Sequence, residues 1–123
     1  KLLPSQFEVT AGKATGPTTG GTVTQATNKG TGVTLNAESG QITMNNAALA
    51  DAAEVTFTVT NDRVTATDVV VVNHGSAGTA GAYWLCVSTV AAGSFKISVG
   101  NLSGGSLSEA IVLNFVVLKG ASS

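Results

Sequence analysis

A chain of 123 residues, 43% of them hydrophobic, has the size and apolar content of one domain with a core of its own, and burial of roughly two thirds of its unfolded surface is expected. Charged residues make up 11% and the net charge is −1, where about 25% charged is usual. That balance excludes a basic footprint for nucleic acid and a polybasic patch for a membrane surface. Thr, Ser, Asn and Gly are left to face solvent, and so weakly charged a surface is prone to association.

A single cysteine, Cys86, allows no disulfide within the chain, so the redox compartment stays open. There is no apolar run of about 18 residues, so no membrane-spanning helix is expected. The opening residues KLLPSQFEV are too short and too polar for a secretory signal.

Residues 1–20 show no periodicity. Leu2, Leu3, Phe7 and Val9 are apolar, while Pro4, Gly12, Gly16, Pro17 and Gly20 interrupt any regular element. Two readings stand: a frayed terminus, or an extended arm that orders on a neighbouring subunit. Residues 21–123 read as a β domain. Residues 22–25 lead into a turn at Asn28, Lys29 and Gly30, and residues 31–35 follow with Val33 and Leu35 on one face. Ser39 and Gly40 turn the chain into residues 41–45, where Ile42 and Met44 point inward. Residues 46–53 are alanine-rich and form a loop or a short helical turn, too short to stand alone.

Residues 54–60 give the cleanest alternation: Val55, Phe57 and Val59 go in, while Thr56, Thr58 and Thr60 go out, a placement that suits a β-branched side chain on a pleated surface. Asn61, Asp62 and Arg63 read as a turn. Val69, Val70, Val71 and Val72 form a short strand expected to be covered on both faces. Residues 73–81 (NHGSAGTAG) read as a flexible loop. Residues 82–91 form a strand with Tyr83, Leu85 and Val87 on one face and Trp84 and Cys86 on the other, and Ala92-Gly93 is a tight connection.

Residues 94–119 read as two strands joined by a polar, glycine-bearing turn. Phe95, Ile97 and Val99 alternate with Lys96, Ser98 and Gly100. In the second arm Ile111, Leu113, Phe115 and Val117 line one face, and Val112, Val116 and Leu118 line the other. A strand apolar on both sides lies inside a doubly covered sheet or against a neighbouring chain. Seven or eight short strands, with turn signals every 8–12 residues or so and no long amphipathic helix between them, indicate an all-β fold, an antiparallel β-sandwich of jelly-roll type.

The stock of reactive groups is thin. His74, with Asp68 before it and Ser76 after it, permits a Ser-His-Asp reading on paper, but Ser76 lacks the G-x-S-x-G turn. Cys86 has no basic neighbour and reads as a buried, inert thiol. One His and one Cys cannot make a zinc site within one chain. Asp51, Glu54, Asp62 and Asp68 could meet around calcium but form no EF-hand loop. The glycines of residues 75–81 lack the Lys-Ser or Lys-Thr and the helix that a phosphate cradle needs. Asn101-Leu102-Ser103 matches a glycosylation sequon, a match common by chance. Trp84 belongs to the core if its face is covered, and is a contact anchor if it is exposed. No catalytic residue, metal or cofactor is assigned.

The runs GTVTQATNKGTGVTLN (21–36), SGQITMNNAALADAAEVTFTVTN (39–61), ATDVVVVNHGSAGTAGAYWLCV (66–87) and AAGSFKISVGNLSGGSLSEAIVLNFVVLK (91–119) together resemble a small domain that recurs in virion proteins of tailed bacteriophages. The likeness spans every expected strand and contains no catalytic motif. It implies a structural β-sandwich, a trimer, and attachment to the capsid surface as a cement or decoration protein whose partner is the major capsid protein. The alternative is a fibre module binding host-surface glycans through His74, Asn73 and Tyr83. On the cement reading the interface residues are Leu2, Leu3, Phe7, Val9, Trp84, Val116 and Leu118, with no nucleic acid and no membrane involved.

Overall fold

The computed structural model describes residues 20–120. The candidate contacts Leu2, Leu3, Phe7 and Val9, and with them all but the last residue of the expected arm, lie outside the described residues. Eight strands follow in chain order: β1 (Thr22–Thr24), β2 (Val33–Thr34), β3 (Ser39–Thr43), β4 (Glu54–Thr60), β5 (Val69–Ser76), β6 (Tyr83–Ala91), β7 (Ser94–Asn101) and β8 (Val112–Leu118). They form two four-stranded sheets, ordered β1-β3-β8-β5 and β2-β4-β7-β6, which pack as a β-sandwich.

Alternation builds the core. In β4, Phe57 and Val59 turn inward and Thr56 and Thr60 outward. β7 supplies Phe95, Ile97 and Val99, β8 supplies Leu113, Phe115 and Val117, and β3 supplies Ile42, all of them buried between the sheets. Each such side chain contributes about 1.5–3 kcal/mol by leaving water. Phe95 and Phe115 meet across the two sheets with ring centroids 5.4 Å apart. The tight connection holds as expected. Ala91 pairs with Ser94, and Gly93 takes φ +83°, a value needed at the second position of the turn and open to glycine without strain.

Three expectations change. First, β7 and β8 are not a hairpin, because they lie in opposite sheets and residues 102–111 cross between them. This crossing is held by the Leu49–Leu107 bridge and by Asn101, which donates from Nδ2 to the carbonyls of Leu49 and Gly105, each at 2.8 Å. Asn101 is fully buried, so its sequon has no accessible amide to carry a glycan.

Second, the sandwich is antiparallel at its centre but parallel at one edge of each sheet: β1 runs parallel to β3, and β2 to β4. Residues 25–32 carry the chain from the edge of one sheet to the edge of the other. β1 therefore reaches β3 only through a crossover, which parallel pairing requires. Third, residues 73–76 continue β5 rather than opening a loop, with a register shift between His74 and Ser76. Residues 46–53 form an irregular connection, with no helix.

Candidate functional site

The outer face of the β1-β3-β8-β5 sheet is the chain's most distinctive surface. In β8, Asn114, Val116 and Leu118 point away from the core. In β5, Val69, Val71 and Asn73 do the same. Register places Val69 opposite Leu118, Val71 opposite Val116, and Asn73 opposite Asn114. The aliphatic ladder is open to solvent: Val69 is 55% exposed, Val71 41%, Val116 37% and Leu118 50%. Towards the other edge, Gln41 on β3 and Thr22 and Thr24 on β1 continue the face with uncharged polar groups. A shallow groove lined by Thr22, Gly40, Gln41 and Asn114 runs beside the ladder.

The sequence suggested that β8 and residues 69–72 were covered on both sides. Among the described residues they are covered on one side only. The same apolar pattern arises whether the second cover is a layer of the same chain or lies outside it, so sequence could not separate the two.

An ion pair between a buried carboxylate and a half-exposed lysine anchors one end of the ladder. Asp68 precedes Val69 and Lys119 follows Leu118, and the Lys119 ammonium donates to Asp68 at 2.7 Å. The amides of Gly120 and Thr65 each donate to the same carboxylate at 2.9 Å. Burial works to raise the Asp68 pKa, but the Lys119 ammonium and the two amides outweigh it and hold the carboxyl well below the usual carboxylate range. Lys119 also donates to the Arg63 carbonyl at 2.8 Å, which ties the β4–β5 crossing to the end of β8.

Trp84 lies elsewhere. Tyr83, Leu85, Val87 and Val90 of β6 pack on the core, so Trp84 and Cys86 face outward on the opposite sheet. The two readings of Trp84 resolve against the core. Its indole stands over Gly100, its cross-strand partner. Trp84 therefore cannot share one flat surface with Val116 and Leu118. Cys86 is exposed rather than buried, because its strand is an edge strand whose outer face carries no further layer. The same outer face bears Glu54 and Lys96, both exposed, and a hydroxyl chain in which Ser98 Oγ lies 2.7 Å from Thr56 Oγ1 and donates to Ser88 Oγ at 3.1 Å.

The reactive groups are used inside the chain. His74 and Tyr83 do meet, edge to face, with centroids 5.7 Å apart. The Tyr83 hydroxyl donates to Glu109 at 2.7 Å, and Thr79 donates to the same carboxylate from its amide at 2.9 Å and its hydroxyl at 2.8 Å. The Thr79 amide, with the Tyr83 and Thr79 hydroxyls, lowers the Glu109 pKa. Burial, together with the bond to Glu109 and its charge, raises that of Tyr83. His74 Nε2 lies 2.6 Å from the Ala77 carbonyl and 3.1 Å from that of Ser76, so it faces the Ser76 backbone and not the serine hydroxyl.

Asp68 lies six residues before His74, just outside the far end of β5, roughly 20 Å away at strand rise, and is committed to Lys119. The triad is not assembled. Asn73 faces the other side of β5 from His74, so the three suggested glycan contacts are split. Asp51 accepts from the Gly104 amide at 3.0 Å, and among the described residues no three His, Cys, Asp or Glu side chains converge on a metal position.

One feature had no sequence signal. Lys29, read as part of a surface turn, is 3% exposed. Its ammonium donates to the Glu109 carbonyl at 2.6 Å and to the Asn45 carbonyl. Burial lowers its pKa, against the pull of Glu109. Gln25 braces the same junction, donating to the carbonyls of Lys29 and Thr31 at 2.9 and 3.0 Å and accepting from the Asn45 amide at 3.0 Å. These contacts lock three loops at one end of the sandwich, a structural role.

A scan against protein-family models, a search of curated proteins and a search of solved structures each return no match.

Proposed function

We propose that this chain is a structural assembly domain, a cement or decoration protein on the capsid surface of a tailed bacteriophage. It works as a homotrimer that ties major capsid proteins together. The observation that carries this reading is the solvent-open ladder Val69, Val71, Val116 and Leu118 on an uncharged sheet face. Contiguous exposed apolar surface marks interaction sites. The sequence resemblance to phage virion domains supplies the setting.

The mechanism is burial. Each apolar contact is modest, at about 25 cal/mol per Å². Three linked subunits that bind together raise a weak contact to a firm one. The fibre reading is weaker, because the Tyr83 hydroxyl and the Glu109 carboxylate are engaged with each other, and His74 Nε2 faces the backbone carbonyls of Ser76 and Ala77.

The test is to add the purified chain to phage shells that lack their decoration protein. Saturable binding, with a rise in the temperature at which shells break open, supports the reading. Binding to glycans with no affinity for shells overturns it in favour of the fibre module.

A further inference from the structure

Resting on the assembly reading above, we propose that the outer face of the β1-β3-β8-β5 sheet is the contact between copies of this chain, with the Val69, Val71, Val116 and Leu118 ladders gathered about the symmetry axis. Of the five large hydrophobic residues exposed among the described residues, only Leu102 lies off this face. They are concentrated, not scattered.

Charge selects the occupant. A side chain near a rotation axis meets its own copies, so a charge there repels itself. A foreign protein is instead steered and sorted by complementary charges. The outward positions Thr22, Thr24, Gln41, Asn73 and Asn114 that flank the ladder carry no charge, while the opposite outer face carries Glu54 and Lys96. Asn73 and Asn114 present amides, which are donors and acceptors at once and so can pair with like groups.

The face is small but continuous. Strands of 3, 5, 7 and 8 residues, about 4.8 Å apart and rising about 3.4 Å per residue, give on the order of 375 Å² in projection on each copy. Three such faces gathered about one axis bury on the order of 1,100 Å² between them, at the small end for a specific assembly. β5 also forms one edge of this sheet, and its outward side chains include neither the lysine nor the proline that commonly guards such an edge.

The experiment is sedimentation equilibrium of the full chain, alongside Val71→Lys/Val116→Lys, Val71→Thr/Val116→Thr, and Thr56→Lys on the opposite outer face. The wild type and Thr56→Lys should form the same oligomer. The double lysine variant should associate at least about 100-fold more weakly, with an unchanged far-ultraviolet circular dichroism spectrum. The threonine pair preserves shape and strand preference, and should weaken association about tenfold even if the lysine pair fails to fold. Mixing the lysine variant with Val71→Asp/Val116→Glu should restore assembly.

Folded variants that assemble with wild-type affinity would overturn this assignment and leave the assembly reading standing. A wild type that stays monomeric at every concentration would overturn both.

Discussion

The indole of Trp84 fills the space that a side chain at position 100 would need: a Cβ there would overlap the Trp84 ring at Nε1. Gly100 lies opposite Trp84 in the β6–β7 pair. The only tryptophan is therefore held on the charged outer face by the absence of a neighbouring side chain, and not by the core.

Gly100→Ala should push the indole outward and destabilise the fold by about 1–3 kcal/mol, the usual cost of overpacking. With one tryptophan in the chain, intrinsic fluorescence reports the site directly. The expected result is a red-shifted emission maximum and a lower thermal midpoint. Unchanged emission and midpoint would contradict this placement of Trp84.

Asp68 makes a stability contribution that depends on pH. Its folded-state pKa is depressed, so the contribution is present above its unfolded value, near 3.9, and is lost as pH falls through the lower folded value. Asp68→Asn should cost about 1–3 kcal/mol at pH 7, because it weakens the partners of Lys119, Gly120 and Thr65. The gap between wild type and variant should shrink as pH drops below about 4. Urea unfolding over a pH series checks this, and a gap that stays constant or widens towards acid would contradict it.

Lys29→Met should destabilise the fold by about 1–3 kcal/mol, since the carbonyls of Asn45 and Glu109 lose a buried donor. Hydrogen exchange should speed up at the amides of Met44 and Asn45, whose segment this contact anchors. Equal stability would show that water replaces the ammonium without loss.

His74→Ala removes one edge-to-face contact with Tyr83, so a loss of about 0.5–1.5 kcal/mol is expected. Oligomer mass should not change, because His74 points to the core side of β5 and not towards the ladder. A loss of assembly in the folded variant would move the interface to the His74–Tyr83 end of the sandwich.

Much of the fold was legible because period-2 alternation is local. β4 was read end to end from Val55, Phe57 and Val59 against the threonines, and β6 and β7 from comparable patterns. Pairing was not legible. Nothing in residues 94–119 says that β7 and β8 enter different sheets, since that depends on which strands β3, β4 and β5 occupy. Half of the exposed ladder was legible in the same way: Val116 and Leu118 stand out by pattern, but their partners Val69 and Val71 emerge only from the register across β5 and β8. Lys29 left no trace, because a lysine after an asparagine and before a glycine looks like any surface turn. Its burial follows from the carbonyls that two distant loops bring to it.

The decisive measurement is the mass of the purified full chain in solution, by light scattering across a dilution series. The expected result is a species with the mass of three chains that dissociates when Val71 and Val116 both become lysine. A particle with the mass of a single chain at every concentration would contradict it.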